Sequence, residues 1–262
     1  MLNRRTFLAA AGAAGLASLS KQVPSQAADA AEGRAIYELR FYYLTSQEQK
    51  QGFDAYMRDA AIPAFNRIGI SPVGVFFPAA DINPAYVLLR HASLESVATS
   101  TQKLLADAEY LDKGAAFLNA PADKPAFKRM ESSLFVAFKG MPQLEIPVKN
   151  PGRVFQLRTY ESPSVKTGQK KIEMFNDAGE IKVFRRVGLN PVFFGETIIG
   201  GKMPNLTYML AFESPAAQEA AWRKFGSDPD WQRLKGMAEY ADKAILCGIT
   251  NLSLKPAEYS QI

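Results

Sequence analysis

Two stretches of the sequence carry the residues best suited to binding or catalysis. The first stretch holds Glu38, Arg40 and Tyr42 at alternate positions, and the second holds Gln156, Arg158 and Tyr160. Alternate residues of a β-strand point to the same side, so each stretch predicts a strand with one polar face. Such groups can hold an acidic or aromatic ligand through directed, charge-assisted hydrogen bonds. They can also polarise a substrate carbonyl or phenol without a metal ion.

We expect both polar faces to point into a space enclosed between two packed sheets. The odd-numbered residues from Tyr37 to Tyr43 form the more apolar face of the first strand, and we assign that face to the helices. Elimination then leaves the interior to Glu38, Arg40, Tyr42, Gln156, Arg158 and Tyr160. A concave, mostly apolar space with a few convergent polar groups is the usual form of a small-molecule site. The alternative is that the charged groups hold the two sheets together, because buried ion pairs often have a structural role.

Trp231 is a further candidate for ligand binding. It follows Asp228, Pro229 and Asp230, and it could line a cleft. The alternative is that the Asp-Pro-Asp segment begins a helix whose tryptophan is packed in the core.

The composition excludes several kinds of site. The chain has one histidine, His91, so a histidine-rich metal centre is excluded, and we predict no metal and no cofactor. Haem ligation by His91 stays open as a separate hypothesis. The single cysteine, Cys247, excludes an intramolecular disulfide. The net charge is +5, but no basic run is longer than two residues, which argues against nucleic acid as a partner.

The first 30 residues have the order of an export signal. Arg4 and Arg5 are followed by Phe-Leu, by a weakly apolar stretch rich in Ala and Gly, and by Ala28-Asp29-Ala30. This order is typical of a twin-arginine signal peptide that ends in a small-residue cleavage site. We therefore predict a signal peptide at 1–30 and a periplasmic or other extracytoplasmic mature protein. The apolar run is shorter than the about 20 residues that cross a membrane, so we expect no membrane anchor after cleavage.

The rest of the sequence is internally duplicated. Four segments return in the same order at an offset of about 120 positions: 37–42 at 155–160, 65–73 at 184–192, 86–89 at 208–211, and 107–110 at 228–231. This period is far longer than that of a solenoid repeat, so each copy is a whole small domain.

Each copy has the signals of a strand, a helix, two strands, a second helix and a last strand. This is the order of the ferredoxin-like βαββαβ unit. We predict a first domain at 31–140, a proline-containing linker at 141–152 and a second domain at 153–262. A sheet with both helices on one side leaves its other face bare. We therefore expect an α+β fold in which tandem ferredoxin-like repeats pack sheet to sheet as a dimeric α/β barrel.

The duplicated segments resemble one known family. The Tyr-Glu-Leu-Arg-x-Tyr strand at 37–42, its return at 155–160, the Gly-x-x-Pro-Val step after each first helix and the 227–232 segment are similar to NIPSNAP proteins, of the dimeric α/β barrel superfamily. The resemblance spans about residues 34–254 and implies the same tandem barrel. It implies little chemistry, because the family has no agreed catalytic residues, and the catalytic residues here stay unknown.

Three hypotheses for function follow. The first is an exported small-molecule-binding or assembly module of unknown biochemical activity, which a small-molecule ligand or a homo-oligomer would complete. The second is a cofactor-independent oxygenase or isomerase that uses Arg40, Arg158 and Tyr42 or Tyr160 on a small organic substrate in the barrel. The third is haem binding through His91.

Overall fold

The computed structural model of the protein describes residues 33–262, so the predicted export signal at 1–30 lies outside the described residues. Two successive βαββαβ repeats make up the described chain. The first repeat contains β1 (Ile36–Tyr43), α1 (Gln47–Tyr56), a π-helical turn (Met57–Ala61), α2 (Ile62–Arg67), β2 (Val73–Pro78), β3 (Ala85–His91), α3 (Leu94–Leu105), α4 (Ala108–Lys113), α5 (Ala115–Leu118) and β4 (Arg129–Ala137). The second contains β5 (Val154–Glu161), α6 (Val165–Asn176), α7 (Glu180–Val187), β6 (Asn190–Ile199), β7 (Asn205–Phe212), α8 (Pro215–Ser227), α9 (Pro229–Gly236), a 3-10 turn (Ala238–Tyr240), α10 (Asp242–Ile245) and β8 (Gly248–Pro256).

Polar caps and glycines determine where the main helices begin and end. The helices α1, α3, α6 and α8 each begin at a serine whose side chain accepts a backbone hydrogen bond from the first turn. In both repeats, the helical segment before the second strand ends at a glycine. Gly69 and Gly188 have φ angles of 81° and 88°, a left-handed conformation that suits a residue without a Cβ.

The eight strands form one closed antiparallel barrel in the order β1-β3-β2-β8-β5-β7-β6-β4. The last strand of each repeat joins the two halves, because β8 pairs with both β5 and β2, and β4 pairs with both β1 and β6. Each helix-free sheet face is therefore covered by the other repeat of the same chain. The predicted α+β fold, with two ferredoxin-like repeats closed into a barrel, is confirmed.

The two faces of the strands are the reverse of those expected from the sequence. The apolar, odd-numbered residues of β1 and β5, among them Tyr37, Leu39, Phe155 and Leu157, point into the barrel. The even-numbered set lies between the sheets and the helices: Glu38, Arg40, Tyr42, Gln156, Arg158 and Tyr160. The barrel interior is enclosed by sheets on all sides and offers few polar partners, so it takes the most apolar side chains. The helix layers can accept polar groups, because helix side chains and solvent-facing strands supply partners for them.

Aromatic side chains fill much of the barrel, and the chain closes one of its ends. Phe76 and Phe155 meet at the centre with ring centroids 4.8 Å apart. The segment between the repeats packs Val148 against this cluster, and Ile262 is buried in it as well. The opposite end of the barrel, at the C-terminal ends of β1 and β5, is not filled and forms the entrance to the interior.

None of the helices in the described part of the chain has the length and apolar character that a membrane span requires.

Candidate functional site

A buried polar network surrounds Glu38 in the helix layer of the first repeat. Its carboxylate accepts hydrogen bonds from Arg40 Nε and Nη2 at 2.7 and 3.0 Å, and from Ser132 Oγ at 2.8 Å. His91 Nε2 lies 3.2 Å from the same carboxylate. Burial alone would raise the pKa of Glu38, but the hydrogen bonds from His91 and Arg40 outweigh it and lower the pKa from 4.5 to about 2. Glu38 therefore carries a stable negative charge that neutralises Arg40.

The surroundings of His91 leave no room for an external ligand. The imidazole is fully buried, and its Nδ1 atom lies 3.0 Å from Ser96 Oγ while Nε2 faces Glu38. A haem ligand needs a ring nitrogen that is free to face an open cavity. Both nitrogens are already engaged here, so the geometry disfavours the haem hypothesis.

Tyr42, the third candidate of this row, lies in a cluster of aromatic rings. Its ring packs against Phe53 and Phe127 at centroid distances of 5.1 and 5.3 Å. Phe117 joins the same cluster and stacks face to face on Tyr56, with centroids 4.1 Å apart. Tyr42 thus belongs to the same aromatic cluster as Tyr56 and Phe117.

A groove opens on the outer side of these two rings. It encloses about 570 Å3 between α1 and the segment that contains α5 and residues 119–126. Its lining includes Gly52, Ala55, Tyr56, Ala116 and Phe117. At the rim, Glu48 and Lys124 form an ion pair of 2.8 Å between the two walls. We call this space the α1 groove.

Tyr56, which lines the α1 groove, is hydrogen-bonded to a second buried tyrosine and precedes an irregular helical turn. The hydroxyl groups of Tyr56 and Tyr110 are 2.8 Å apart and buried. Burial raises the pKa of Tyr56, and the neighbouring tyrosines Tyr42 and Tyr110 raise it further. The π-helical turn follows Tyr56 directly, and such turns are frequent at functional sites. Sequence reasoning missed Tyr56 and Phe117, because their apolar spacing is that of ordinary core residues.

The second repeat has no such groove in the equivalent place. The two places can be aligned because α4 and α9 each begin at a capping aspartate that pairs with an arginine. Asp107 caps α4 and pairs with Arg67 at 2.7 Å, and Asp228 caps α9 and pairs with Arg186 at 2.8 Å. Tyr110 and Trp231 both donate a backbone N–H to their aspartate, so they are equivalent.

Larger apolar side chains fill the space in the second repeat. Trp231 packs on Phe225 with ring centroids 4.3 Å apart. Three residues later, Leu234 is buried against Met174 and Tyr240, whereas its counterpart Lys113 lines the α1 groove. Trp231 is half-buried and packs against the core of the second repeat.

The strand register corrects one of the four sequence matches. Arg40 of β1 pairs with Val87, and its equivalent Arg158 of β5 pairs with Tyr208. Tyr208 is therefore the counterpart of Val87 and not of Tyr86. Tyr86 faces the barrel, whereas Tyr208 lies in the helix layer. Tyr86 and Tyr208 therefore match in residue type by coincidence. The sequence offset from Asp107 to Asp228 is the same as that from Val87 to Tyr208, so it would have indicated the true register.

A buried ion pair lies in the second repeat, and no sequence pattern predicts it. Lys171 Nζ is 3.1 Å from Glu180 Oε2, and the exposed fractions of the two side chains are 1% and 2%. Burial raises the pKa of Glu180, and the Lys171 ammonium opposes that shift. Lys171 also faces the rings of Tyr160 and Phe175. A pair of adjacent lysines normally indicates a solvated helix face, so only the tertiary structure reveals this one.

The other candidates of the second repeat form a separate cluster. Gln156 accepts a hydrogen bond from Trp222 Nε1 at 2.7 Å and donates one to Asn251 Oδ1 at 2.8 Å. The Arg158 guanidinium lies over the rings of Trp222 and Tyr160, at 4.8 and 5.4 Å. Gln156 and Arg158 therefore lie together beside one tryptophan.

A smaller cavity opens at the unfilled mouth of the barrel. It encloses about 310 Å3, and both repeats contribute to its wall. Its lining includes Leu39, Phe41, Leu157, Thr159, Thr207, Thr250 and Leu252. Thr159 and Thr207 share a hydrogen bond of 2.8 Å on this wall. None of the six polar candidates from β1 and β5 lines the cavity.

Within residues 33–262, no three His, Cys, Asp or Glu side chains are grouped so that they could hold a metal ion.

Comparison with known proteins agrees with this architecture. A search of curated proteins finds no significant match. Candidate monooxygenases of Fusobacterium nucleatum and Lactobacillus acidophilus share the fold, each with a TM-score of 0.57, at 9% and 8% identity. The superpositions cover 85% of this chain, and 92% and 94% of those two chains. A NIPSNAP-like domain protein of Burkholderia xenovorans matches at 16% identity and a TM-score of 0.38, over 43% of this chain and 92% of its own.

At 9% and 8% identity, the two candidate monooxygenases show a shared fold and carry no activity across. The sequence itself decides the family. The NIPSNAP profile matches residues 37–141 and again residues 155–261, once in each repeat. The chain therefore belongs to the NIPSNAP family and carries two copies of its domain.

Proposed function

We propose that this protein binds a small, mostly apolar molecule in the α1 groove, and that binding rather than catalysis is its activity. The groove itself carries the proposal, because it offers about 570 Å3 over the rings of Tyr56 and Phe117. Concave, largely apolar spaces of several hundred Å3 with a few polar groups are the usual form of small-molecule sites. The Glu48–Lys124 pair at the rim can orient a polar end of the ligand.

The difference between the repeats supports this proposal. The second repeat fills the equivalent space with Trp231 and Leu234, so the fold does not require an opening there. The barrel also closes within one chain, so assembly with a second copy is not needed to cover the sheet faces. Both observations favour a small-molecule-binding module over an assembly module.

A substitution at Gly52 tests the site. A Cβ at Gly52 would have no heavy atom within 4 Å, and the residue lies on α1 in the groove lining. Gly52→Leu should therefore fill the groove without disturbing the core, and leucine also favours a helix over glycine. We expect it to abolish retention of any co-purified small molecule, measured by mass spectrometry, and to weaken the fluorescence of added 8-anilino-1-naphthalenesulfonate.

Two variants provide the comparison. Gly226→Leu changes a helical glycine with equally open surroundings in the second repeat, and it should leave both signals unchanged. Thr250→Leu fills the barrel mouth instead. If Thr250→Leu removes the signals and Gly52→Leu does not, the ligand site is the barrel mouth and the proposal is wrong.

The enzymatic alternative has weaker support, which comes from the candidate monooxygenases that share the barrel. In the first repeat the Arg40 charge is neutralised by Glu38, so it is not free to polarise a substrate. Oxygen consumption, or chemical conversion of the retained molecule by the purified protein, would favour the enzyme over the binding module.

Export through the twin-arginine pathway remains part of the proposal. It rests on Arg4, Arg5 and the Ala28-Asp29-Ala30 segment. Cell fractionation and N-terminal peptide mass spectrometry should find a mature extracytoplasmic chain that begins at Ala31. Replacing both arginines by lysine should retain the uncleaved chain in the cytoplasm, because the pathway depends on the arginine pair. Cleavage and export of that double variant would contradict the proposal.

A further inference from the structure

Two equivalent, half-buried arginines have different environments in the two repeats. Arg40 and Arg158 occupy equivalent positions on β1 and β5, and both face the helix layer. Two positions earlier, the first repeat has Glu38 and the second has Gln156. The isosteric change from carboxylate to amide removes the negative charge, so Arg158 loses the counter-ion that Arg40 keeps.

The hydrogen bonds of Arg158 show the effect of that loss. Arg40 Nε donates to Glu38 Oε1 at 2.7 Å, whereas Arg158 Nε is buried without a hydrogen-bond partner. No carboxylate in residues 33–262 forms an ion pair with Arg158. Glu180, whose pKa is raised by burial and lowered in part by the Arg158 charge, is engaged by Lys171 at 3.1 Å. Lys171 has Glu180 as its partner, whereas Arg158 has no carboxylate partner of its own, which favours an added negative charge beside it.

We infer that the second repeat binds a small organic carboxylate at Arg158. Glu38 is an internal example of such a ligand, because its two oxygens meet Arg40 Nε and Nη2. A planar guanidinium recognises a carboxylate through two parallel hydrogen bonds. The proposal concerns a site separate from the α1 groove and does not depend on it.

The surroundings of Arg158 hold the guanidinium in place and bury its Nε atom, while the residue as a whole is half-buried. Gln156 is turned away, with its oxygen on Trp222 and its nitrogen on Asn251. Trp222 and Tyr160 fix the plane of the guanidinium with their rings. Asn251 pairs with Arg158 across β8 and is exposed, as are the other outward-facing residues of that strand. A ligand can therefore approach Arg158 over β8.

The aromatic neighbours indicate a carboxylate that is attached to a flat, apolar body. Such a body can pack along the edge of Trp222 while its carboxylate reaches Arg158. Benzoate is the simplest molecule of this class and serves as the probe. Inorganic phosphate provides the comparison, because it offers charge without the apolar body.

The test titrates the folded protein with benzoate at low ionic strength. Tryptophan emission reports on Trp222 together with Trp231, and isothermal titration calorimetry gives the stoichiometry. We expect saturable binding of one benzoate per chain and much weaker binding of phosphate. Gln156→Glu restores the counter-ion of the first repeat, so it should weaken benzoate binding by about tenfold or more.

Three further variants keep the result interpretable. Gln102→Glu adds the same charge at an exposed position of α3, and it should bind benzoate as the unmodified protein does. Arg158→Lys keeps the charge but loses the two-pronged geometry, and it should weaken binding as well. Lys235→Gln removes an exposed cation and should have no effect. Circular dichroism confirms that each variant is folded.

Two outcomes would overturn the inference. One is the absence of saturable benzoate binding to the folded, unmodified protein. The other is equal weakening by Gln156→Glu and Gln102→Glu, which would show that benzoate responds to net charge alone.

Discussion

The Nζ atom of Lys171 lies 3.1 Å from Oε2 of Glu180, and both side chains are almost completely buried. The two residues come from different helices, α6 and α7, and they bring opposite charges into a layer rich in aromatic and aliphatic side chains. Removing two charges from water is costly, so the pair persists only because each charge neutralises the other. Removing only one of the two charges should therefore lower the stability of the folded protein.

Lys171→Met should destabilise the protein by about 3–5 kcal/mol, because it leaves the Glu180 carboxylate buried without a partner. Lys171→Met combined with Glu180→Leu should recover most of that loss, since no buried charge then remains. Chemical unfolding monitored by circular dichroism measures both changes. The exposed Lys166 of the same helix provides the control, and Lys166→Met should cost no more than about 1 kcal/mol. Additive losses in the double variant would show that the pair is not coupled.

The pH dependence of stability should reveal Glu38. Its pKa is about 2 in the folded protein and 4.5 in its unperturbed state, so folding favours the ionised carboxylate. The stabilisation is therefore complete above pH 4.5 and is lost as the pH falls towards 2. It amounts to about 3 kcal/mol.

Urea unfolding across this range, compared between the unmodified protein and Glu38→Gln, measures the effect. The advantage of the unmodified protein should shrink on acidification. Glu219→Gln, at an exposed carboxylate, should show no comparable pH-dependent difference. A stability difference for Glu38→Gln that stays constant with pH would contradict the assignment.

The barrel interior should be intolerant of even one added carbon atom at Gly195. A Cβ there would lie 2.7 Å from the Cβ of Phe135, which is itself buried. Gly195→Ala should therefore lower stability by about 1–3 kcal/mol, because the packed interior cannot expand. Gly226→Ala, in open surroundings on α8, should be neutral or slightly stabilising. Thermal unfolding of the two variants would show no difference if the barrel were loosely packed.

Local patterns in the sequence were sufficient to predict the fold. The alternation at 37–42 predicts a strand, the serine and aspartate caps predict helix starts, and the repeated order of segments predicts two equal halves. These signals are local because strand alternation, helix capping and glycine conformation each depend on a few neighbouring residues. The duplication then implied the barrel, since two bare sheet faces in one chain can cover each other.

The tertiary structure decided which side of each strand is the interior. Alternation along β1 places Glu38 and Leu39 on opposite faces of the sheet. It does not determine which of the two residues faces the barrel. Residues far away in the sequence decide it, because Trp222 and Asn251 provide the hydrogen bonds that let Gln156 lie in the helix layer. The same is true of the open groove, which depends on Lys113 in one repeat and Leu234 in the other. Partners and packing of this kind arise only when distant segments meet, so no single stretch of sequence contains them.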